Sequence, residues 1–138
     1  MTGVQTCALP IWWDDDRYGP ESARRDIALT ARRDGRVIGI ATGRVEGPSG
    51  HLSELLVAVA ERGTGIGSHL LAHFVSEVAA KGGCHVTVRT ERDAPSQRFY
   101  EQRGWRVEAV LAGYAAGRDA VQLRRVLLVA GVDVDGST

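Results

Sequence analysis

Apolar and polar positions alternate from Asp26 to Ala31, where Ile27, Leu29 and Ala31 share one side, and a period of two marks a strand with one buried face. Asp34-Gly35 follows, a pair that tolerates the positive φ angles of a two-residue hairpin turn, and Val37 to Val45 resumes as a second β-rich run. Gly47-Pro48-Ser49-Gly50 marks another turn. Leu52 to Val59 then reads as a third antiparallel strand, largely apolar but interrupted by the carboxylate of Glu54. After Gly67 the period lengthens, because Leu70, Leu71, Phe74, Val75 and Val78 fall on one face of a helix that Gly82-Gly83 stops. Cys84 to Thr90 returns to alternation through Val86 and Val88. A second helix is expected from about Ala94 to Gln102, closed by Gly104. Trp105 to Leu111 and Val121 to Leu128 then form two strands joined through the Gly113 to Gly117 turn region. The order from Asp26 is β-β-β-α-β-α-β-β, which places the chain in the α/β (α+β) class.

Two regions stand outside this pattern. Trp12 to Arg25 holds the acidic run Asp14, Asp15, Asp16 and the pair Gly19-Pro20 without a sustained period, so a loop and a short helix from near Pro20 are expected. At the other end, residues 129–138 are expected to be a disordered tail. Residues 1–11, M-T-G-V-Q-T-C-A-L-P-I, read as the translation of a common short-read sequencing adapter. All eleven codons match in one frame with GTG as the start, and the leftover T begins the TGG of Trp12. This segment is therefore expected to be foreign to the native chain, with residues 12–128 forming a 5′-truncated domain. On that reading Cys7 leaves the count, Cys84 is a lone packing residue with no intramolecular disulfide, and a reducing compartment fits.

With 138 residues the chain suits one domain, for which roughly 100–200 residues is usual. Hydrophobic residues at 43% and charged residues at 25% are ordinary globular proportions and disfavour long disorder or a disulfide scaffold. Lys plus Arg and Asp plus Glu balance at 17 each, which removes the bulk-charge case for nucleic acid or an anionic membrane. Lys81 is the only lysine, a compositional bias toward arginine. No apolar run approaches the roughly 18–20 residues that span a bilayer, and there is no signal-peptide pattern, so the cytoplasm is the expected location.

Between the third strand and the first long helix lies R-G-T-G-I-G, Arg62 to Gly67. Its glycines allow a tight turn with no Cβ against a ligand, and the helix N-terminus adds about half a positive charge to converging amides. Arg62 adds a full charge, so a diphosphate is the natural ligand; a flexible strand-to-helix turn is the plainer alternative. The missing Gly-Lys-Ser/Thr ending excludes a Walker loop, and the antiparallel strands upstream exclude a dinucleotide fingerprint.

In this context the chain resembles the GNAT N-acetyltransferase superfamily, whose acetyl-CoA signature R/Q-x-x-G-x-G/A is matched by Arg62, Gly65 and Gly67. A second family segment, N-x-x-A-x-x-F-Y-x-x-x-G-F, corresponds to D-A-P-S-Q-R-F-Y-E-Q-R-G-W over Asp93 to Trp105. There Asp93 stands for Asn and Ser96 for Ala. The resemblance covers about Asp26 to Leu127 and implies a mixed, mainly antiparallel sheet lacking its N-terminal strand and helices. Ile27 to Ala31 would then be an exposed edge with an under-covered apolar face. It also implies acetyl-CoA as cosubstrate, bound at the parting of two strands. The exposed edge at Leu56, Val57 and Ala58 would pair with pantetheine. Arg62, Gly63, Thr64, Gly65, Ile66, Gly67 and Ser68 would hold the pyrophosphate, with Asp93 in the position of the family's Asn.

The resemblance further makes Tyr100 the general acid, since a phenol with an ordinary pKa near 10 is protonated at neutral pH. Glu54 occupies a position where several members carry a base. Core packing beside Phe99 is the plainer reading of Tyr100, and solvent or an arginine partner that of Glu54. Neighbours on a helix point about 100° apart, which favours Tyr100 as the one of the Phe99-Tyr100 pair that lines the cleft. The expected reaction is acetyl transfer to a primary amine of a small molecule or peptide by direct attack in a ternary complex. The oligomeric state, monomer or homodimer, stays open. Asp14 to Asp16 would attract a cationic amine or simply be solvated. His69 and His73, at i and i+4, read as a solvated pair, and no metal site is expected. Two other classes stay open: a glyoxalase-like vicinal-oxygen-chelate metalloprotein, whose F-Y-x-x-L-G-F segment is similar to F-Y-E-Q-R-G-W, and a noncatalytic CoA-binding module.

Overall fold

The computed structural model describes residues 24–127. The adapter-like segment, the loop and short helix expected before Arg24, and the expected tail lie outside them.

Six strands and two helices alternate as the periods predict: β1 (Arg25–Arg33), β2 (Arg36–Glu46), β3 (Ser49–Val57), α1 (Ile66–Ala80), β4 (His85–Glu91), α2 (Pro95–Glu101), β5 (Arg106–Ala115) and β6 (Arg118–Val126). They form one sheet in the order β1-β2-β3-β4-β6-β5, antiparallel everywhere except between β3 and β4. A two-residue turn at Asp34-Gly35, with φ of 52° and 80°, joins β1 to β2, and Ala116-Gly117, at 52° and 78°, joins β5 to β6.

Three boundaries differ from expectation. The turn into β3 shrinks to Gly47-Pro48, and β3 ends at Val57, with Val59–Glu61 forming a 3-10 turn. β5 runs on to Ala115, because a register irregularity between Leu111 and Ala115 absorbs Gly113 into the strand pair. Both helices end on a glycine in the left-handed region. The N–H of Gly83 donates to Val78 O and that of Trp105 to Tyr100 O, satisfying carbonyls that the helix leaves open.

One sheet face carries the core. Leu70, Leu71, Phe74 and Val78 of α1 are buried against Ile27, Ala41, Val45, Leu52 and Val86. Close approach depends on missing side chains: a Cβ on Gly43 would lie 2.1 Å from His51 O and 2.5 Å from Phe74 Cζ, and one on Gly50 would lie 2.7 Å from Val78 Cγ1. Burying Phe74 completely is worth roughly 2–3 kcal/mol. The opposite face carries Thr42, Arg44, His51, Thr87, Arg89, Gln122 and Arg124, joined by polar contacts such as His51 Nδ1 to Thr87 Oγ1 at 2.9 Å and Arg89 Nε to Gln122 Oε1 at 2.9 Å.

Two expectations are corrected. β1 is an edge strand among the described residues, yet Ile27 is buried and Leu29 and Ala31 are partly buried against the core. α1 reaches across β2 to cover them. Cys84 is buried, as expected of a packing residue, but is disulfide-bonded rather than a lone thiol.

Candidate active site

The site begins where β3 and β4 stop pairing. Their parallel register runs from Ser49↔His85 to Leu52↔Val88 and ends there, although β3 continues to Val57 and β4 to Glu91. At the same point the register of β2 with β3 shifts, passing from Thr42↔Glu54 to Gly43↔Leu52 and leaving Ser53 over, and such bulges bend and twist a strand. The main-chain groups on the β4 side of β3 beyond Leu52 therefore face an opening. Ala58 N–H donates to Ile38 O at 2.8 Å, on the β2 side. Alternation along the strand then turns the groups of Leu56 toward β2 as well, and those of Leu55 and Val57 toward the opening. Of the three residues expected to offer this edge, Val57 offers its N–H, its carbonyl accepting from Arg62 Nε; Ala58 does not, since its carbonyl also accepts from Glu61 N–H.

The loop from Arg62 to Gly67 enters α1 through Gly65, whose φ of 91° only glycine adopts readily. The N–H groups of Gly63, Thr64, Gly65, Ile66, Gly67 and Ser68 donate to no acceptor among the described residues, so six consecutive donors are available where the α1 dipole is positive. Neighbouring side chains brace the loop: Thr64 Oγ1 donates to Glu61 O at 2.5 Å, Arg62 Nε to Val57 O at 3.2 Å, and Arg33 pairs with Glu61 at 3.1 Å. The side chain of Ile66 turns the other way, into the core.

A cavity of about 630 Å³ joins these parts, lined by Leu55, Leu56 and Val57 of β3, by Glu61, Arg62, Gly63, Gly65, Gly67 and Ser68, and by the α2 region through Pro95, Ser96, Phe99, Tyr100 and Arg103. Tyr100 is both a core residue, 6% exposed, and part of this lining. Its ring meets Phe99 edge-on at 5.2 Å and Trp105 at 5.3 Å. Contrary to the expectation from the helical angle, Phe99 and Tyr100 both line the cavity, and Phe99 is the more exposed of the pair. Burial pushes the Tyr100 phenol up to about 12, so it holds its proton across the neutral range. The hydroxyl makes no hydrogen bond among the described residues. Ser96 lies beside Thr90 with their hydroxyls hydrogen-bonded.

Of the expected residues, Glu54, Ala58, Thr64, Ile66 and Asp93 do not line the cavity. Asp93 adopts a left-handed φ of 63° and its N–H is held by Gln97 Oε1 at 2.7 Å, so it serves the turn into α2. Glu54 faces Thr42 across the strand pair, accepts from its Oγ1 at 3.2 Å, and is exposed on the sheet face away from α1. Leu56, 54% exposed, shares that face. His69 and His73 are exposed with rings 6.4 Å apart. Among the described residues no group of three His, Cys, Asp or Glu side chains converges as metal ligands would.

Sequence reasoning missed Arg103. Its guanidinium lies 3.8 Å over the Phe99 ring and donates to Ser68 Oγ at 3.0 and 2.7 Å and to Phe99 O at 2.8 Å, tying the first turn of α1 to the end of α2. The i, i+4 spacing from Phe99 was the available signal.

The sequence pattern of the Acetyltransferase (GNAT) family matches residues 4–105, about three quarters of the chain, and the chain belongs to that family. It is accordingly an acyltransferase that uses acetyl-CoA, and the vicinal-oxygen-chelate reading is set aside. A GNAT-family acetyltransferase from Desulfovibrio desulfuricans is similar at 30% identity and a TM-score of 0.69, over 73% of this chain and 69% of that one. Ard1 from Thermoplasma volcanium is similar at 25% identity and a TM-score of 0.68, over 93% of this chain and 84% of that one. An aminoglycoside 6′-N-acetyltransferase solved with coenzyme A shares the fold at 19% identity and a TM-score of 0.68, over 83% of this chain and 77% of that one. No curated protein matches. Among the described residues no helix is long and apolar enough to cross a membrane.

Proposed function

We propose that this protein is an N-acetyltransferase that moves the acetyl group of acetyl-CoA to a primary amine of a small molecule or peptide, by direct attack in a ternary complex. The observation that carries the reading is one cavity uniting an unpaired strand edge, free amides of the glycine loop and a phenol that keeps its proton. The residues present fit the cosubstrate: the edge at Val57 suits an amide-bearing arm, while the loop amides with Arg62 suit a diphosphate.

When bound, the cosubstrate supplies an activated thioester carbonyl. Val57 and the loop amides fix where that carbonyl lies, and α1 and α2 close the cavity on the core side. Glu54 and Leu56 lie on the opposite sheet face, so we assign the amine's approach to that face and proton acceptance from the amine to the Glu54 carboxylate. As the new C–N bond forms and the C–S bond breaks, the Tyr100 hydroxyl gives its proton to the departing sulfur and is reprotonated from solvent.

Calorimetric titration with CoA followed by a thiol-release assay over a panel of amines and N-terminal peptides tests this. Micromolar CoA binding with amine-dependent thiol release is expected. Binding without release for any amine leaves a noncatalytic CoA-binding module, and absence of binding overturns the proposal.

A further inference from the structure

The corner of the cavity where α1 begins and α2 ends offers hydrogen-bond donors almost exclusively. Arg103 carries five N–H groups, of which three are spent, on Ser68 Oγ and Phe99 O. Because Ser68 Oγ already accepts from Arg103 twice, its lone pairs are used, and its own hydrogen is left to donate. Beside it stand the free N–H groups of Ile66, Gly67 and Ser68. No carboxylate lies within ion-pair distance of Arg103 among the described residues, and of the arginines there without one only Arg103 and Arg125 are not exposed. The guanidinium is also held in place, 3.8 Å over the Phe99 ring and hydrogen-bonded to two elements, so little side-chain freedom remains to be lost when a ligand arrives.

A fixed, partly buried cation without a counter-charge, surrounded by donors, is built for an anion, and its planar fork suits phosphate oxygens. Resting on the proposed CoA-dependent function, we infer that Arg103 recognises a phosphate group of the cosubstrate, with Ser68 Oγ as an accessory donor. Ser68 belongs to the segment expected to hold the pyrophosphate, whereas Arg103 lies outside the glycine loop. Arg62, placed with the loop amides at the diphosphate, spends only its Nε, on Val57 O, and keeps its other N–H groups for the ligand.

The test compares binding of CoA, dephospho-CoA and pantetheine to the full chain and to R103Q and R103K, with circular dichroism on each variant. R103Q is expected to weaken CoA binding about 10- to 100-fold and leave pantetheine binding within twofold, with R103K intermediate. An equal loss for dephospho-CoA assigns the diphosphate, and a loss confined to CoA assigns the 3′-phosphate; both support the inference. CoA affinity of R103Q within twofold of the wild type, or an equal loss for pantetheine, overturns it and reduces Arg103 to a structural tie. If R103Q does not fold, R103K together with the salt dependence of wild-type binding decides: Arg103 predicts a steeper fall for CoA than for pantetheine, and equal slopes overturn it. A wild-type chain that binds neither CoA nor pantetheine overturns the proposed function instead, which keeps the two failures apart.

Discussion

The strands β3 and β4 lead two lives along their length. From Ser49 to Leu52 they pair in register, Gly50 lies flat beneath Val78, and the neighbouring strand brings Gly43 under Phe74. From Ser53 onward the pairing has ended and the same β3 backbone faces an open cavity instead of a strand. Glycines serve both ends for opposite reasons. Gly43 and Gly50 are small because protein fills the space above them, whereas Gly63 and Gly65 have nothing within 4 Å of where a Cβ would stand and are needed for their positive φ. The difference teaches that a site here is an interrupted core: the hydrogen bonds and contacts the sheet declines to make are left for a ligand.

The contrast can be broken most severely at the paired end. Gly43→Val places a methyl-bearing carbon against His51 O, and we expect a loss of about 3–5 kcal/mol or failure to fold, read by urea denaturation. At the open end Gly67→Leu should do the reverse. A Cβ there meets only ordinary contacts, Val57 Cγ2 at 3.6 Å and Phe99 Cζ at 3.7 Å, so melting should shift little while CoA affinity falls by about 100-fold or more. A collapse of stability in Gly67→Leu would show that the open end is core after all.

Tyr100 belongs to both ends, and its substitution sharpens the comparison. Tyr100→Phe should lower turnover roughly 100-fold with CoA affinity retained, as expected for a proton donor rather than a packing group. Its pKa also makes a stability claim. The folded-state value near 12 lies above the usual 10, so the native state holds this proton more tightly. The stability it contributes is whole below pH 10 and is lost as pH rises toward 12. Alkaline denaturation over that window should flatten in Tyr100→Phe.

The smallest effect is expected on the polar face. Burial, reinforced by Arg44 and Arg89 for His51 and by Arg124 for His85, lowers both imidazoles below their ordinary value of 6.5. Their contribution is therefore present above pH 6.5 and is lost as pH falls below it. A melting temperature that declines between pH 6.5 and 5, less so in His51→Gln, is the expected readout.

Local physics made much of this protein legible in its sequence. A hydrophobic period depends only on which residues face inward, so the eight elements and their order could be read directly. Left-handed positions leave glycines behind, so the helix stops and the loop before α1 could be read too. The aromatic pair Phe99-Tyr100 and the charge at Arg62 were visible for the same reason. What needed the folded chain was every feature set by two distant segments at once. The bulge at Ser53 exists only as a mismatch with β2. The end of the β3–β4 ladder exists only as a divergence between strands 28 or more residues apart. Asp93 stands at a motif position where the family has Asn, yet its turn and Gln97 carried it away from the cavity; Arg103 stands at none, yet Ser68, 35 positions earlier, drew it in. Side-chain spacing along a chain fixes local faces, but hydrogen-bond partners across the fold are chosen only when packing brings their elements within about 3 Å of one another.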